Sequence, residues 1–335
     1  MISNESDSLE SVKKQLAKSF EVNEKNLSLW LNWHGGSEGK LIRSHLALST
    51  GEALGLSKHT AIIWAVVCEL IHSASLLHDD ICDSDEIRRG KVSVWKNFGI
   101  PAAICTGDYL IAESFKKITE IEQGWHQNIL LGLLSGTVKE IVFGQSGDVN
   151  TSFLSLGWEE YKSLATAKTS PLICLPIMGM FKCAELDEPY YINLRKMTDE
   201  IGLAYQIVND LENILLNQAD EIPTDIEFER MNALLVLVKE KSSEKEINFL
   251  KKNKAEFKQF LISSNIKDDL IDRIQLILEN IKNSLHLMPV VIRPIISSLC
   301  EEINKKASQF THAKYKNNCN RTWFWGNRCS FANEG

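Results

Sequence analysis

The sequence predicts an all-α protein, and three observations carry that prediction. Only 7 Pro and 18 Gly interrupt 335 residues. Alternating β-branched stretches are few. The run from His59 to His78 has no Gly, no Pro and one acid, Glu69, within an otherwise mostly apolar string. A hydrophobic content of 44% is ordinary for a globular protein, and the length suffices to bury a sizeable core.

In order, the predicted helices cover roughly 5–20, 24–33, 40–55, 59–82, 101–120, 125–146, 158–168, 171–184, 189–217, 226–240, 243–262, 266–284 and 294–310. The helix over 59–82 is apolar nearly all round, through Ile62, Ile63, Val66, Val67, Leu70, Ile71, Leu76 and Leu77, which predicts a core helix. The stretch 241–283 is rich in Lys, Glu and Asn and reads as outer amphipathic helices. From Lys314 to Gly335, Trp323, Phe324, Trp325 and Phe331 stand among polar residues without helical periodicity.

At the end of the core helix the character changes. Asp79, Asp80, Asp83, Asp85 and Glu86 are followed by Arg88, Arg89 and Gly90. Five acids are costly at the end of a buried helix unless something neutralises them. His72, Ser75, Asp79 and Asp83 recur at steps of three to four, so Asp79 and Asp83 share a face one turn apart. Oxygen ligands without a completing Cys or paired His suit a hard cation such as Mg2+. A solvated acidic helix end followed by a basic turn would produce the same string.

The net charge of −7 argues against nucleic acid as the main partner. The eight cysteines (68, 82, 105, 174, 183, 300, 319 and 329) show neither CxxC nor zinc-ribbon spacing, and His312 with Cys319 and Cys329 fits no zinc pattern. The start of the chain is polar and acidic, and no apolar run is read as membrane-spanning. The expectation is a cytoplasmic protein with reduced thiols.

Asp79-Asp80-Ile-Cys-Asp83 followed by Arg88-Arg89-Gly90 resembles the first aspartate-rich motif of the trans-isoprenyl diphosphate synthases. Further segments follow in that family's order. Gly39-Lys40-Leu-Ile-Arg43 resembles GKxxR. Gly107-Asp108-Tyr109-Leu110 resembles GDYL. Gly144-Gln145 with Asp148 resembles GQxxD, and Lys168-Thr169-Ser170 resembles KT(A/S). Tyr205-Gln206-Ile-Val-Asn209-Asp210-Leu-Glu-Asn213 resembles the second aspartate-rich motif. The resemblance implies an all-α isoprenoid synthase fold, antiparallel helices around a deep central active-site cavity. It assigns one such domain to 1–313 with a tail at 314–335, and implies a homodimer.

The resemblance also assigns roles. Asp79, Asp80 and Asp83 would hold Mg2+ against an allylic diphosphate, with Lys168 and Arg88 contacting the same leaving group. Lys40, Arg43, His72 and Arg89 would hold isopentenyl diphosphate. Thr169 and Gln206 belong to the substrate-binding segments. Asn209, Asp210 and Asn213 would form the opposite metal side. Up to three Mg2+ ions are implied, the third put in question by this motif. The family reaction needs no side-chain nucleophile, and the absence of a Ser-His-Asp pattern agrees with that.

Two departures stand out. Asn209 and Asn213 carry amides where the family has carboxylates; an amide oxygen can bind Mg2+ but brings no charge. Downstream, where the family has a basic loop, the best alignment places Asp225, Glu229, Arg230 and Asn232. Arg230 would replace a phosphate-binding lysine, while Glu229 stands in place of a glycine and would repel phosphate. The motif start at Asn209-Asp210 also fits a class I terpene cyclase, with Asn213 and Asn217 where that pattern has Ser/Thr and Glu. A regulatory subunit of a heteromeric synthase is a third reading. Retention of Lys40, Arg43, His72 and Arg89 favours chain elongation over cyclisation, and full retention of the first motif speaks against the regulatory subunit, which loss of one metal side would fit. Ala74 and Ser75, five and four residues before Asp79, are small, which by the resemblance leaves room for a C20 or longer product, with Trp64 or Cys68 as a further floor. His78 is read as a neighbour that tunes the acids, and Cys82 as a filler. The aromatic tail could cover the site, touch a membrane that receives a lipophilic product, or remain unstructured.

Overall fold

The computed structural model describes residues 2–35, 39–149, 151–216 and 222–311. The tail beyond 311, with His312, Cys319 and Cys329, lies outside the described residues, as does Asn217. Helices α1 (Ile2–Ser19), α2 (Lys25–Gly35), α3 (Ile42–Ala53) and α4 (Lys58–Cys82) lead into a two-stranded hairpin, β1 (Ile87–Arg88) and β2 (Lys91–Val92). Then come α5 (Val94–Phe98), α6 (Ile100–Ile118), α7 (Gly124–Asp148), α8 (Trp158–Cys183) and α9 (Glu188–Leu215). The remainder is α10 (Thr224–Glu227), α11 (Ala233–Lys241), α12 (Glu244–Lys252), α13 (Lys254–Ser263), α14 (Ile266–Ser284) and α15 (Arg293–Ser308). The expected all-α class is met.

Helix α4 starts where the Ser57 side chain accepts from the Thr60 backbone N–H at 3.1 Å, and its middle is buried on every side. Towards its end Ile71, Ala74, Leu77 and Asp80 are buried, while His72, Ser75 and Asp79 are partly exposed together with Ser73, Leu76 and His78. Helices α4 and α8 have the length and apolar composition of membrane spans, contrary to the sequence expectation. The physical reason is burial, since each is mostly covered by other helices.

Helix α8 links two hydrophobic clusters. Ile173, Ile177 and Phe181 belong to the one built with α9, α11 and α14. Leu172, Leu175 and Met180 belong to the one built with α3, α4, α6 and α7. This explains a difference from expectation. The predicted helices 158–168 and 171–184 are a single helix that runs through Pro171 and Pro176. An interior proline costs about 3 kcal/mol in an isolated helix, but packing on both faces outweighs it here. Lys168, Thr169 and Ser170 therefore sit in mid-helix. Conversely, the predicted helix 226–240 is two, α10 and α11, and 243–262 breaks at Asn253 into α12 and α13.

Glycines set the closest approaches. A Cβ on Gly144 would lie 2.6 Å from the Ala167 carbonyl oxygen and 2.8 Å from Lys168 N, so α7 presses directly on the turn that presents Lys168. Gly179 accepts the indole of buried Trp64, whose Nε1 donates to the Pro176 carbonyl at 3.2 Å.

Candidate active site

The last turn of α4 carries Asp79, and Asp83 caps its end with its backbone N–H donating to the Asp79 carbonyl at 2.7 Å. Lys168 reaches across from α8. Its Nζ donates to Asp148 Oδ2 at 2.6 Å and lies 3.5 Å from Asp83 Oδ2. Burial works against the ammonium, but Asp83, Asp148 and Asp79 outweigh it and hold Lys168 charged far into the alkaline range. Thus Asp79, Asp83, Lys168 and Asp148 form one centre.

Asp80 is turned about 100° from Asp79 by the helix and is buried. Arg88 Nε donates to its Oδ1 at 2.6 Å, and Arg88 Nη2 contacts both Asp80 and Asp85, the latter at 3.1 Å. Arg230 Nη1 stands 3.6 Å from Asp85, so the first motif and the loop after α10 are joined by alternating charges. Glu229, expected to repel phosphate, pairs instead with Lys251 at 2.8 Å. Its φ of 55° puts it in the left-handed region, which glycine adopts without strain.

The tight hairpin presents the next arginine. Arg89 (φ 53°) and Gly90 (φ 75°) are the two central residues of the turn, both left-handed as such a turn demands. The Arg89 guanidinium packs over Gly39, where a Cβ would lie 2.9 Å from Nη1, so the GKxxR segment and the hairpin meet. Lys91 Nζ donates to the Trp33 carbonyl at 2.9 Å and sits over the Trp33 ring, which fastens α2 to the hairpin. Around this point Arg43, His72, Arg89, His34 and Lys91 act on one another electrostatically. Burial first, then Arg43 and Arg89, hold His72 well below the usual histidine range. Burial first, then Arg89, lower His34 to about 4. Burial and, after it, the neighbouring positive charge keep both rings from taking up a proton, and the surrounding guanidinium groups favour an anion here. Lys40 is exposed beside Gly39. His34 and Lys91 escaped sequence reasoning. Lys91 had a weak signal, its place directly after the Arg88-Arg89-Gly90 run; His34 had none.

The second motif forms a buried hydrogen-bond chain. Thr169 Oγ1 donates to Gln206 Oε1 at 2.9 Å, and Gln206 Nε2 donates to Asp210 Oδ1 at 2.8 Å. Tyr161 OH and the Ala233 N–H both donate to Asp210 Oδ2 at 2.7 Å. The Asp210 carboxylate, expected on the opposite metal side, is buried and takes three donors that join α8, α9 and α11. Asn209 is partly exposed. Asn213 Nδ2 is 3.4 Å from Thr224 Oγ1. His78 lies over Gly107, 3.7 Å from Asp108.

Two observations bear on whether a divalent cation fits. Burial pushes Asp79, Asp80 and Asp225 up to about 6 and Asp210 to about 7, with neighbouring carboxylates adding to the shift in each case. Such surplus negative charge is what a cation relieves. Among the described residues no three His, Cys, Asp or Glu side chains converge as a closed metal cage. A Mg2+ ion is commonly held by one or two carboxylates plus substrate phosphates. Asp79 and Asp83 are placed to do this. Arg43 Nε, His72 Nδ1, both amide atoms of Gln145 and Asn213 Oδ1 are buried without hydrogen-bond partners. Thr50 Oγ1, Ser93 Oγ, His126 Nδ1 and Asp199 Oδ1, outside the matched motifs, are buried without hydrogen-bond partners as well.

The sequence model of the polyprenyl synthetase family matches residues 26–268. The chain belongs to that family. It is 33% identical over 217 residues to the short chain isoprenyl diphosphate synthase of Methanothermobacter thermautotrophicus, covering 62% of this chain and 65% of that protein. It is 35% identical over 179 residues to the geranylgeranyl pyrophosphate synthase of Geoglobus acetivorans, covering 52% and 56%. These matches thus span less than two-thirds of the relatives' own lengths. Among solved structures, the polyprenyl synthase of Caulobacter crescentus CB15 complexed with calcium and isoprenyl diphosphate shares the fold. Its TM-score is 0.79 at 21% identity, over 90% of this chain and 95% of that one.

Proposed function

We propose that this chain is a Mg2+-dependent trans-prenyltransferase that joins isopentenyl diphosphate to an allylic diphosphate. One observation carries the reading: two anion-handling centres stand on one helix face. His72, with Arg43 and Arg89, marks a centre dominated by positive charge, with the buried Glu69 behind Arg43. Seven residues on, about 10 Å along α4, Asp79 and Asp83 with Lys168 form a centre of carboxylates and a single ammonium. The first suits a diphosphate bound directly. The second suits a diphosphate bound through a cation, and so a diphosphate that must leave.

Bound at Asp79 and Asp83, the cation would stabilise negative charge on the leaving diphosphate. Lys168 and Arg88 add charge-assisted hydrogen bonds to the same group. The allylic C–O bond breaks with its electron pair going to the diphosphate, the isopentenyl double bond attacks the carbon set free, and a proton is lost to the released diphosphate. Arg43, His72 and Arg89 keep the isopentenyl tail aimed along the α4 face.

Ser75 is the small residue on that face, its Oγ donating to the His72 carbonyl at 2.8 Å, while Ala74 packs in the core. With no ring at 75, a product of C20 or longer is the length we propose. The relatives' names range from farnesyl through geranylgeranyl to decaprenyl diphosphate synthases. A homodimer over the outward face of α7, where Val142 and Phe143 are exposed, completes the proposal.

The test is product analysis of purified protein with Mg2+ and farnesyl diphosphate, with and without labelled isopentenyl diphosphate. A longer labelled diphosphate is the expected product. A hydrocarbon or alcohol formed without isopentenyl diphosphate would mean a cyclase. No turnover with any allylic starter would mean a subunit that needs a partner.

A further inference from the structure

Between His59 and His78 helix α4 carries a single acid, Glu69, and it is buried, only 7% exposed. A carboxylate there is costly unless it is hydrogen-bonded. Its partner is α3. The Ser44 backbone N–H donates to Glu69 Oε1 at 2.9 Å, and Ser44 Oγ donates to the same oxygen at 3.1 Å. That N–H is the third of α3, one that an N-cap side chain ordinarily satisfies. The cap position here is Leu41, left-handed at φ 48° and without a side-chain acceptor. Glu69 therefore supplies from α4 the cap that α3 lacks, and its charge suits the positive end of that helix.

The same turn of α3 carries the basic residues of its segment. Arg43 directly precedes Ser44, and Lys40 directly precedes Leu41. Gly39, next to Lys40, lies against the Arg89 guanidinium. His72 stands one turn on from Glu69 along α4. Glu69 thus ties the segment bearing Lys40 and Arg43 to the helix bearing His72. Among the charges around Arg43, Glu69 does most to offset the burial of its guanidinium, whereas Arg89 adds to the cost.

The geometry points to Glu69 as a positioning residue for isopentenyl diphosphate: by capping α3 it fixes the direction from which Lys40 and Arg43 meet an anion shared with His72 and Arg89. It touches no substrate itself. This rests on the prenyltransferase reading above and adds a residue to it.

The test reads binding rather than turnover, by titration calorimetry on the full chain. Isopentenyl diphosphate is titrated without Mg2+, and farnesyl diphosphate with it. Glu69→Gln keeps the acceptor oxygen and loses the charge. Glu69→Asp keeps the charge and falls a methylene short of Ser44. Glu69→Asp is expected to weaken isopentenyl diphosphate about ten- to a hundredfold, the worth of one hydrogen bond to a charged group, and to leave farnesyl diphosphate unaffected. Glu69→Gln is expected to bind both ligands as the unaltered chain does. A loss in Glu69→Gln, whether or not Glu69→Asp shares it, would mean that the charge acts rather than the cap, and overturns the assignment. Equal weakening of both ligands in Glu69→Asp would mean general damage to the fold and overturns it too, as does unchanged binding in both variants. An unaltered chain that binds farnesyl diphosphate but no isopentenyl diphosphate overturns the prenyltransferase reading, and the assignment with it.

Discussion

Asp210 shows how a motif residue can be kept for the fold. Three donors converge on it, and burial first, then Asp225, push it up to about 7. Its ordinary value is 3.8, so the folded protein holds this proton where the unfolded chain releases it. Stability of the unliganded protein is therefore expected to rise as pH falls from about 8 to about 6.5. Below that, His72 and His34 act in the opposite sense, because the unfolded chain protonates them and the fold does not. Melting curves across this range check the slope, which Asp210→Asn should flatten. The same variant sets an amide N–H2 against existing donors, at a cost of about 1–3 kcal/mol in urea unfolding. Lys168 makes a different case. Its neighbours are carboxylates that a bound cation would engage, so Lys168→Ala should fold and should lower turnover by about a hundredfold. An unchanged rate would remove Lys168 from the reaction.

Elements were legible in the sequence wherever one period dominated. The run 59–82 predicted α4 almost to its ends, and α14 and α15 followed within a residue or two. Misreadings came where tertiary packing overrode local preference. Pro171 and Pro176 suggested a break that two cores on either side of α8 suppress. Arg89-Gly90 lacks the usual Asn-Gly signature, so the sequence gives the two arginines but not the hairpin that presents them. The site divided in the same way. The acids and Lys168 were found by motif, whereas the direction of Asp80 and Asp210 depended on which neighbours donate to them. Close helix contact yields a prediction at this scale. Gly144→Ala forces a methyl against the backbone of α8 at Ala167 and Lys168. It should cost about 1–3 kcal/mol of stability. It should also raise the KM for the allylic substrate by moving Lys168 away from Asp148. Unaltered melting and KM would show that α7 and α8 have room to part.

At the scale of the whole molecule, the cavity and the outer surface each give a measurement. Ser75→Phe places a ring on the substrate face of α4 and should shorten the product by at least one five-carbon unit, read by chromatography of the dephosphorylated alcohols. Ala74→Phe should chiefly destabilise, since that position is 1% exposed and packed in the core. On the outside, Phe143 is 72% exposed on α7. Phe143→Asp should convert a dimer to a monomer in analytical ultracentrifugation. A single sedimenting species of monomer mass before the substitution would dismiss the proposed pairing.

Arg89 occupies a backbone position that asparagine or glycine would hold with less strain, by about 1–2 kcal/mol. Laboratory evolution offers a reading of that compromise. A library selected only for survival of heating should drift towards Asn or Gly at position 89, while one selected for growth on the enzyme's product should keep arginine. The residue that wins would report which pressure the population had felt.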